Sequence, residues 1–104
     1  MNMQKLMMEA QKMQAKLQKE QAELENTSYE GKSSLVTIVI NGKKEVTSVK
    51  LNIEDTISTE DVEMLEDMIM LAMNDAVGKA EKDKEQRLGK YGQGLTGVMK
   101  YVSW

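Results

Sequence analysis

The sequence predicts an α+β protein with the element order α-β-β-β-α, in which a small antiparallel sheet lies between two long helices. One helical repeat of apolar residues runs from Met3 to Leu24, and a second runs from Val62 to Ala80. Between them lie two segments rich in β-branched residues, joined by Asn41-Gly42, the strongest short hairpin signal. We predict a single domain over residues 1-90, comprising a helix over 3-26, a β-meander over 27-53 and a helix over 58-88, followed by a glycine-rich tail over 91-104.

The first helix is predicted from an apolar seam whose members recur every three or four residues. The members of this seam are Met3, Leu6, Ala10, Met13, Leu17 and Leu24. Glu20 stands where the next apolar residue is due. Such a helix is roughly 33–38 Å long, whereas a compact chain of this size has a radius of gyration of only ~13 Å. We therefore expect the helix to project from the domain or to lie against a partner of similar length.

The sheet is predicted from two clear strands and one weaker one. Ser34 to Ile40 forms one strand, and the alternating segment from Val46 to Ile53 forms the next, with Val49 and Leu51 on its apolar face. We expect one face of this hairpin to be buried and the other to face water. A two-stranded hairpin is marginal by itself, so we expect a third strand around Thr27–Glu30.

The second helix has a clear start and a clear end. Ser58 and Asp61 have the spacing of a capping box, and Gly89 is a typical stop. The apolar positions are too many for one stripe, so we expect the helix to cover the sheet on one side and a second subunit on the other. Asn74 and Asp75 are unfavourable inside a helix, so we expect them to hydrogen-bond to a loop or to the partner. The residues predicted for the subunit interface are Leu65, Met68, Ile69, Ala72, Met73 and Ala76.

The composition excludes several classes of function. The chain has no cysteine and no histidine, which removes disulfides, thiol nucleophiles, the usual zinc sites and the commonest general base. We predict no enzymatic activity, no cofactor and no small-molecule substrate. The N-terminal segment carries lysines and is not a signal peptide, and no apolar run approaches ~18 residues, so we predict a cytoplasmic protein with no membrane partner. The ten methionines indicate flexible core filling, with a methionine-rich peptide groove as the alternative.

Charge is distributed unevenly along the chain, whose formal net charge is −3. Residues 1–19 hold four lysines and one glutamate, residues 54–75 hold eight acidic side chains and no basic one, and residues 79–104 hold six basic and three acidic side chains. The preference of helix termini for opposite charges accounts for part of this pattern. The basic residues that form a candidate track for phosphate groups at the two helix ends are Lys5, Lys12, Lys16, Lys19, Lys79, Lys82, Lys84 and Arg87. The alternative is an ordinary solvated face balanced by neighbouring carboxylates such as Glu9 and Glu81.

The tail combines glycines with three of the four aromatic residues. Three alternatives remain open for Tyr101 and Trp104. They dock on a hydrophobic face, belong to a disordered segment, or stack on nucleic-acid bases.

Three stretches in this order resemble the YbaB/EbfC family of nucleoid-associated proteins, over roughly residues 3 to 88. They are MMEAQKMQ at 7–14; LVTIVING at 35–42 with VTSVKL at 46–51; and MLEDM at 64–68 with AMNDA at 72–76 and Lys79. The glycine-rich approach usual before the central strand is reduced here to the four residues 31–34. The resemblance implies a homodimer with helices that project like tweezers, bacterial origin, and binding of double-stranded DNA in the nucleoid. The rival class is a non-catalytic protein–protein module that recruits a partner through its methionine-rich or acidic surface.

Overall fold

The computed structural model describes residues 2–89 and shows the predicted order of elements. The tail, with its predicted alternatives for Tyr101 and Trp104, lies outside the described residues. The elements are α1 (Met3–Glu25), β1 (Ser28–Ser33), β2 (Val36–Asn41), β3 (Val46–Leu51) and α2 (Val62–Leu88), with a short 3-10 turn at Thr59–Asp61. The prediction of an α+β fold is confirmed, and so is the capping box, because the Ser58 backbone N–H and hydroxyl both donate to Asp61 Oδ2 at 3.2 and 3.0 Å.

The core lies between α2 and one face of the sheet. The strands are antiparallel in the order β1-β2-β3, and the predicted third strand therefore exists as β1, on the far side of β2 from β3. The buried apolar residues of the core are Leu24, Tyr29, Val36, Ile38, Ile40, Ala72, Ala76, Ala80 and Leu88. The alternating burial of β2 follows from the strand repeat, because every second side chain points to the same face.

The backbone of α2 lies directly on β1 at Gly31. A Cβ atom added at Gly31 would overlap the Ala72 carbonyl oxygen and would lie 2.5 Å from the Ala76 backbone nitrogen. Ala72, Ala76 and Ala80 recur every four residues, so α2 presents a stripe of small side chains where it meets this strand. Ala72 and Ala76, which we predicted for a subunit interface, are fully buried inside the protomer by this contact.

The outer edge of β1 is closed by an ion pair on α2. Asp75 Oδ2 accepts a hydrogen bond of 3.1 Å from the Lys32 backbone N–H, and Lys79 Nζ donates one of 2.7 Å to the Glu30 carbonyl oxygen. Asp75 therefore hydrogen-bonds outside its own helix, but its partner is the edge strand β1 and not the loop or second subunit that we expected. The bond from the Lys32 N–H, with that from Lys79, lowers the pKa of the Asp75 carboxyl below its usual range. The edge strand thus has backbone partners where it would otherwise be open to another strand.

The third strand is exposed, and the prediction that one face of the whole hairpin is buried is wrong for β3. Val49 pairs with Ile38 and Leu51 pairs with Val36, so both apolar side chains lie on the face that α2 covers elsewhere. The single helix α2 covers β1 and β2 and does not reach across β3. Val39 pairs with Ser48 but Ile40 pairs with Val46, so a bulge at Thr47 shifts the register of β3 against β2.

The hairpin turn lies where it was predicted, but its geometry differs. The Lys44 N–H donates to the Asn41 carbonyl oxygen at 2.9 Å, and Lys44, with φ of 67°, supplies the left-handed residue. Gly42 is required for another reason. A Cβ at Gly42 would overlap the Leu24 carbonyl oxygen, so the turn abuts the end of α1.

Only the C-terminal part of α1 packs on the domain. Leu24 is buried against Leu88, and Leu17 packs beside them. Arg87, near the end of α2, approaches Glu20 and Glu23, so the two helices run antiparallel and α1 extends past the end of α2. Residues 2–16 are exposed, and the radius of gyration is 19.6 Å. The helix therefore projects, as the length of its repeat predicts; we call residues 3–16 the arm.

Candidate nucleic-acid interface

Four exposed lysines form a stripe along one side of α1. Lys5, Lys12, Lys16 and Lys19 are separated by seven, four and three residues, which places them within about 60° of one another around the helix. Among residues 2–89, no ion pair or side-chain hydrogen bond engages any of the four. The stripe is about 21 Å long, the length of roughly six phosphate spacings along one DNA strand. We call this row of ammonium groups the lysine stripe.

The basic residues of α2 have different environments. Lys79 is held between Glu30 and Asp75 at the edge of β1, and Arg87 faces α1, so these two do not share one open face. Lys82 is exposed and has no ion pair within the described part of the chain. Lys84 is half-buried beside a cleft of about 240 Å³ at the base of the arm. Lys82 and part of Lys84 are therefore exposed to solvent, whereas Lys79 and Arg87 form contacts within the protomer.

Arg87 joins the arm to the body of the protein. Its Nε donates to Asp83 Oδ2 at 3.0 Å, and its guanidinium lies 3.8 Å from Glu23 and 4.0 Å from Glu20. The Tyr29 hydroxyl donates to the same Asp83 oxygen at 2.6 Å, which connects β1, α2 and α1 in one network. The interruption of the apolar seam at Glu20 is thereby explained, because that carboxylate faces a guanidinium.

The ionisation of Tyr29 is coupled to this network. Burial, together with the hydrogen bond to the Asp83 carboxylate, raises the pKa of Tyr29 to about 12. Because the folded-state pKa lies above the ordinary value of 10.0, the neutral hydroxyl stabilises the fold below pH 10, and this stabilisation is lost as the pH rises from 10 towards 12.

We expect Tyr29→Phe to lower the free energy of unfolding by about 1.5–3 kcal/mol at neutral pH, because a hydrogen bond to a charged group is lost. Above pH 10 the difference between the two proteins should shrink, since the tyrosine then ionises in the unfolded state while the folded hydroxyl stays neutral until the pH nears 12. Urea unfolding at several pH values between 7 and 12 measures the free energy of unfolding of both proteins. Subtracting one pH curve from the other removes the contributions that the two proteins share. Two parallel curves would contradict the coupling.

Two further lysines lie at the base of the arm and were missed by the sequence interpretation. Lys43 and Lys44 belong to the hairpin turn that abuts the end of α1, and Lys44 forms an ion pair with Glu81. Lys43 is exposed and lines the same cleft as Lys84. The signal was present in the sequence as a pair of lysines after the Asn-Gly turn, but only the contact between turn and helix relates them to the arm.

The acidic segment of residues 54–75 lies far from the lysine stripe. Glu63, Glu66 and Asp67 occupy the first turns of α2, whereas the arm extends past its last turn. From Glu66 to Arg87 the helix rises about 31 Å, nearly four times the ~8 Å screening length at physiological ionic strength. The net charge of −3 therefore does not set the potential at the arm.

Neither a membrane-spanning helix nor a metal-binding cluster is found in the part of the chain that the structure describes. No helix within residues 2–89 is long and apolar enough to cross a bilayer. The same residues contain no group of three or more acidic side chains placed to hold a metal ion.

A sheet covered by one helix, with a second helix that projects and carries a lysine stripe, defines a small protein suited to an extended polyanion. The family model of the YbaB/EbfC DNA-binding family matches residues 1–95, and the chain belongs to this family. The resemblance deduced from the three sequence stretches is confirmed.

The chain is similar to several bacterial proteins called nucleoid-associated proteins. It is 45% identical over 97 residues to one from Lactococcus lactis subsp. cremoris, covering 91% of this chain and 97% of the relative. It is 43% identical over 98 residues to one from Clostridium botulinum, covering 92% and 86%. A relative from Ligilactobacillus salivarius is 35% identical over 100 residues, covering 94% and 95%.

Proposed function

We propose that this protein binds duplex DNA through backbone phosphates as a homodimer, without catalysing a reaction. The observation that carries this proposal is the lysine stripe, because its four ammonium groups face solvent on a projecting helix and have no partner among residues 2–89. The family is described as DNA-binding, and similar proteins are called nucleoid-associated. We therefore infer a place in the bacterial cytoplasm on the nucleoid, with a role in its organisation or in gene expression.

The chemistry of the stripe favours phosphate contacts over base reading. Lysine is a flexible point charge, whereas guanine is most often read by the planar fork of arginine, and the stripe contains no arginine. Contacts of this kind position a protein on DNA but carry little sequence information. We therefore expect weak sequence preference and steep salt dependence. If every stripe lysine contacts a phosphate, the slope of log affinity against log salt is about −3.6 for one arm and about −7 for two.

The decisive experiment is a salt titration of binding to a labelled duplex. The full chain is mixed with duplex DNA at several salt concentrations, and unlabelled DNA of unrelated sequence serves as competitor. A linear log–log plot with a steep negative slope, and equal competition by unrelated DNA, is the expected result. Absence of binding at low salt would overturn the proposal.

The uncovered face of the sheet supports the proposed dimer. Val46, Val49 and Leu51 on β3 are 50%, 55% and 42% exposed although they continue the core face. Exposed Ile69 and half-buried Met73 flank the buried alanines of α2. A contiguous apolar surface of this kind marks an interaction site. We propose that a second copy covers it, with Leu65, Met68, Ile69 and Met73 in the interface and with Ala72 and Ala76 setting the position of α2 from inside the protomer.

We expect Val49→Lys to weaken self-association about 100-fold or more, since the substitution places an unpaired ammonium against an apolar surface in each copy. Ser48→Lys is the matched control, because Ser48 lies on the opposite face of the same strand and the added charge is identical. Light scattering over a dilution series measures the molar mass. Identical dissociation curves for the two variants would place the interface elsewhere.

A second candidate function rests on a cleft of about 520 Å³ at the start of α2. Its apolar lining includes Leu35, Ile53 and Met64, and its rim carries Glu54 and Asp55. Such a site suits an apolar partner segment with basic flanks. Failure of the salt titration would direct attention to this protein–protein function.

A further inference from the structure

The first helix carries a seven-residue sequence repeat along the arm and into its base. Residues 4–24 divide into QKLMMEA, QKMQAKL and QKEQAEL, and the leading dipeptide Gln-Lys is the only part that all three share. The three lysines of this dipeptide belong to the lysine stripe. We propose, on the basis of the DNA binding proposed above, that Gln4 and Gln11 contact adenine in the major groove while the neighbouring lysines contact phosphates.

The glutamines of the repeat form a row of their own on α1. Gln4, Gln11 and Gln18 lie within about 40° of one another around the helix, and the row is about 110° from the lysine stripe. All three side chains are exposed, and no side-chain hydrogen bond engages any of them among residues 2–89. Their amides therefore face solvent beside the row of ammonium groups, and one duplex can meet both rows.

The spacing of the row fits the rise of base pairs. Successive glutamines lie about 10.5 Å apart along the helix axis, close to the ~10.2 Å that three base pairs occupy at ~3.4 Å each. An α-helix about 10–12 Å across enters the ~12 Å major groove. Because a straight helix stays at the floor of a winding groove over only a few base pairs, we assign the two glutamines of the arm and leave out Gln18 at its base.

Glutamine is suited to adenine among the four bases. Its amide carries a donor and an acceptor, and it pairs bidentately with N6 and N7 of adenine in the major groove. Ala15 lies within about 40° of the row, where a methyl group can contact the thymine methyl of an A·T pair. Glu9, the one carboxylate of the arm, lies about 160° away and does not oppose this approach. Helix propensity accounts for glutamine in α1, but not for its recurrence beside a lysine at every seventh position.

The expected preference is one of base composition. Adenines at the required spacing occur in most natural sequences, so unrelated natural DNA remains an equal competitor in the salt titration. Phosphate contacts still supply most of the affinity.

The test compares two labelled duplexes in that titration. One carries adenine at every third base pair, and in the other each of these adenines is 7-deazaadenine, which keeps the base pairing and all phosphates but lacks the N7 acceptor. We expect the wild type to bind the second duplex roughly tenfold or more weakly, since a bidentate contact discriminates strongly. Gln4→Ala with Gln11→Ala should bind the two duplexes within about twofold of each other. Its salt slope should equal that of the wild type, because no charge changes.

Asn74→Ala with Gln86→Ala is the control, because it removes two exposed side-chain amides from α2 and leaves the arm intact. Alanine is the best helix former, so neither double variant should unfold its helix, and far-UV circular dichroism verifies this. Steep salt dependence with equal binding of both duplexes by the wild type would overturn base reading and leave the phosphate contacts standing. Discrimination that persists in the Gln4 and Gln11 variant would also overturn base reading by these residues. Absence of binding at low salt would overturn both proposals.

Discussion

Gly31→Val is expected to detach α2 from the sheet and to unfold the protein at room temperature. The new Cβ would overlap the backbone oxygen of Ala72 and would lie 2.8 Å from the Ala76 Cβ. Two of its three closest neighbours are backbone atoms, so no rotamer change of α2 relieves the contact, and the helix must move as a unit. Overpacking of side chains alone typically costs 1–3 kcal/mol, a large fraction of the roughly 5–15 kcal/mol by which native domains are stable. We therefore expect a loss above about 3 kcal/mol, since backbone is involved.

Gly78→Ala is the matched control for this substitution. Gly78 lies inside α2, and a Cβ there meets nothing within 4 Å. Alanine at position 78 should stabilise the protein by about 0.5–1 kcal/mol, because alanine is a better helix former than glycine. Urea unfolding followed by circular dichroism compares the milder Gly31→Ala with Gly78→Ala. Changes of the same sign in both would show that α2 does not rest on β1 as described.

The largest effect on function is expected from the lysine stripe. Replacing Lys12 and Lys16 with glutamine keeps the helix propensity of the arm and removes two phosphate partners. For each arm engaged, the salt slope should flatten by about 1.8 and the affinity at 0.15 M salt should fall about 30-fold. The measurement is the same titration with labelled duplex DNA, carried out on both proteins in parallel.

Lys32→Gln with Lys50→Gln provides a control of equal charge. Both residues lie on the polar face of the sheet, away from the arm, and Lys32 has only an exposed ion pair with Glu30. We expect this control to keep the slope of the wild type. An equal loss of affinity in both double variants would mean that overall charge, and not the stripe, governs binding.

Local sequence chemistry predicted the features that depend on near neighbours. The seam of α1, the capping box at Ser58 and Asp61, and the location of the hairpin turn all arise from residues within a few positions of one another. The uncovered β3 could not be predicted in this way. Alternation shows which side of a strand is apolar, but whether a helix covers that side depends on tertiary packing.

Distant contacts account for the remaining differences. The carbonyl oxygen that Lys79 binds belongs to a residue 49 positions away, and Arg87 faces carboxylates of the first helix, so a charge pattern could not separate these two from open cations. We predicted Ala72 and Ala76 for a subunit interface, whereas the structure packs them on Gly31 of β1. The four-residue repeat of Ala72, Ala76 and Ala80 was the sequence signal for this contact.

The arm is attached to the rest of the described structure only near its base, so a small rotation there moves its tip by a large distance. Beyond Leu17 nothing in the described residues holds it, and the guanidinium of Arg87 meets its two glutamates at 3.8 and 4.0 Å, which are long for ion pairs. A tilt of only 10° at the base moves the tip of the arm by about 4 Å, slightly more than the ~3.4 Å rise between successive phosphates on one strand. Under the proposed binding mode, small angular changes at the base let the same lysines follow straight, bent or overwound DNA, and variation in the shape of the duplex is then tolerated.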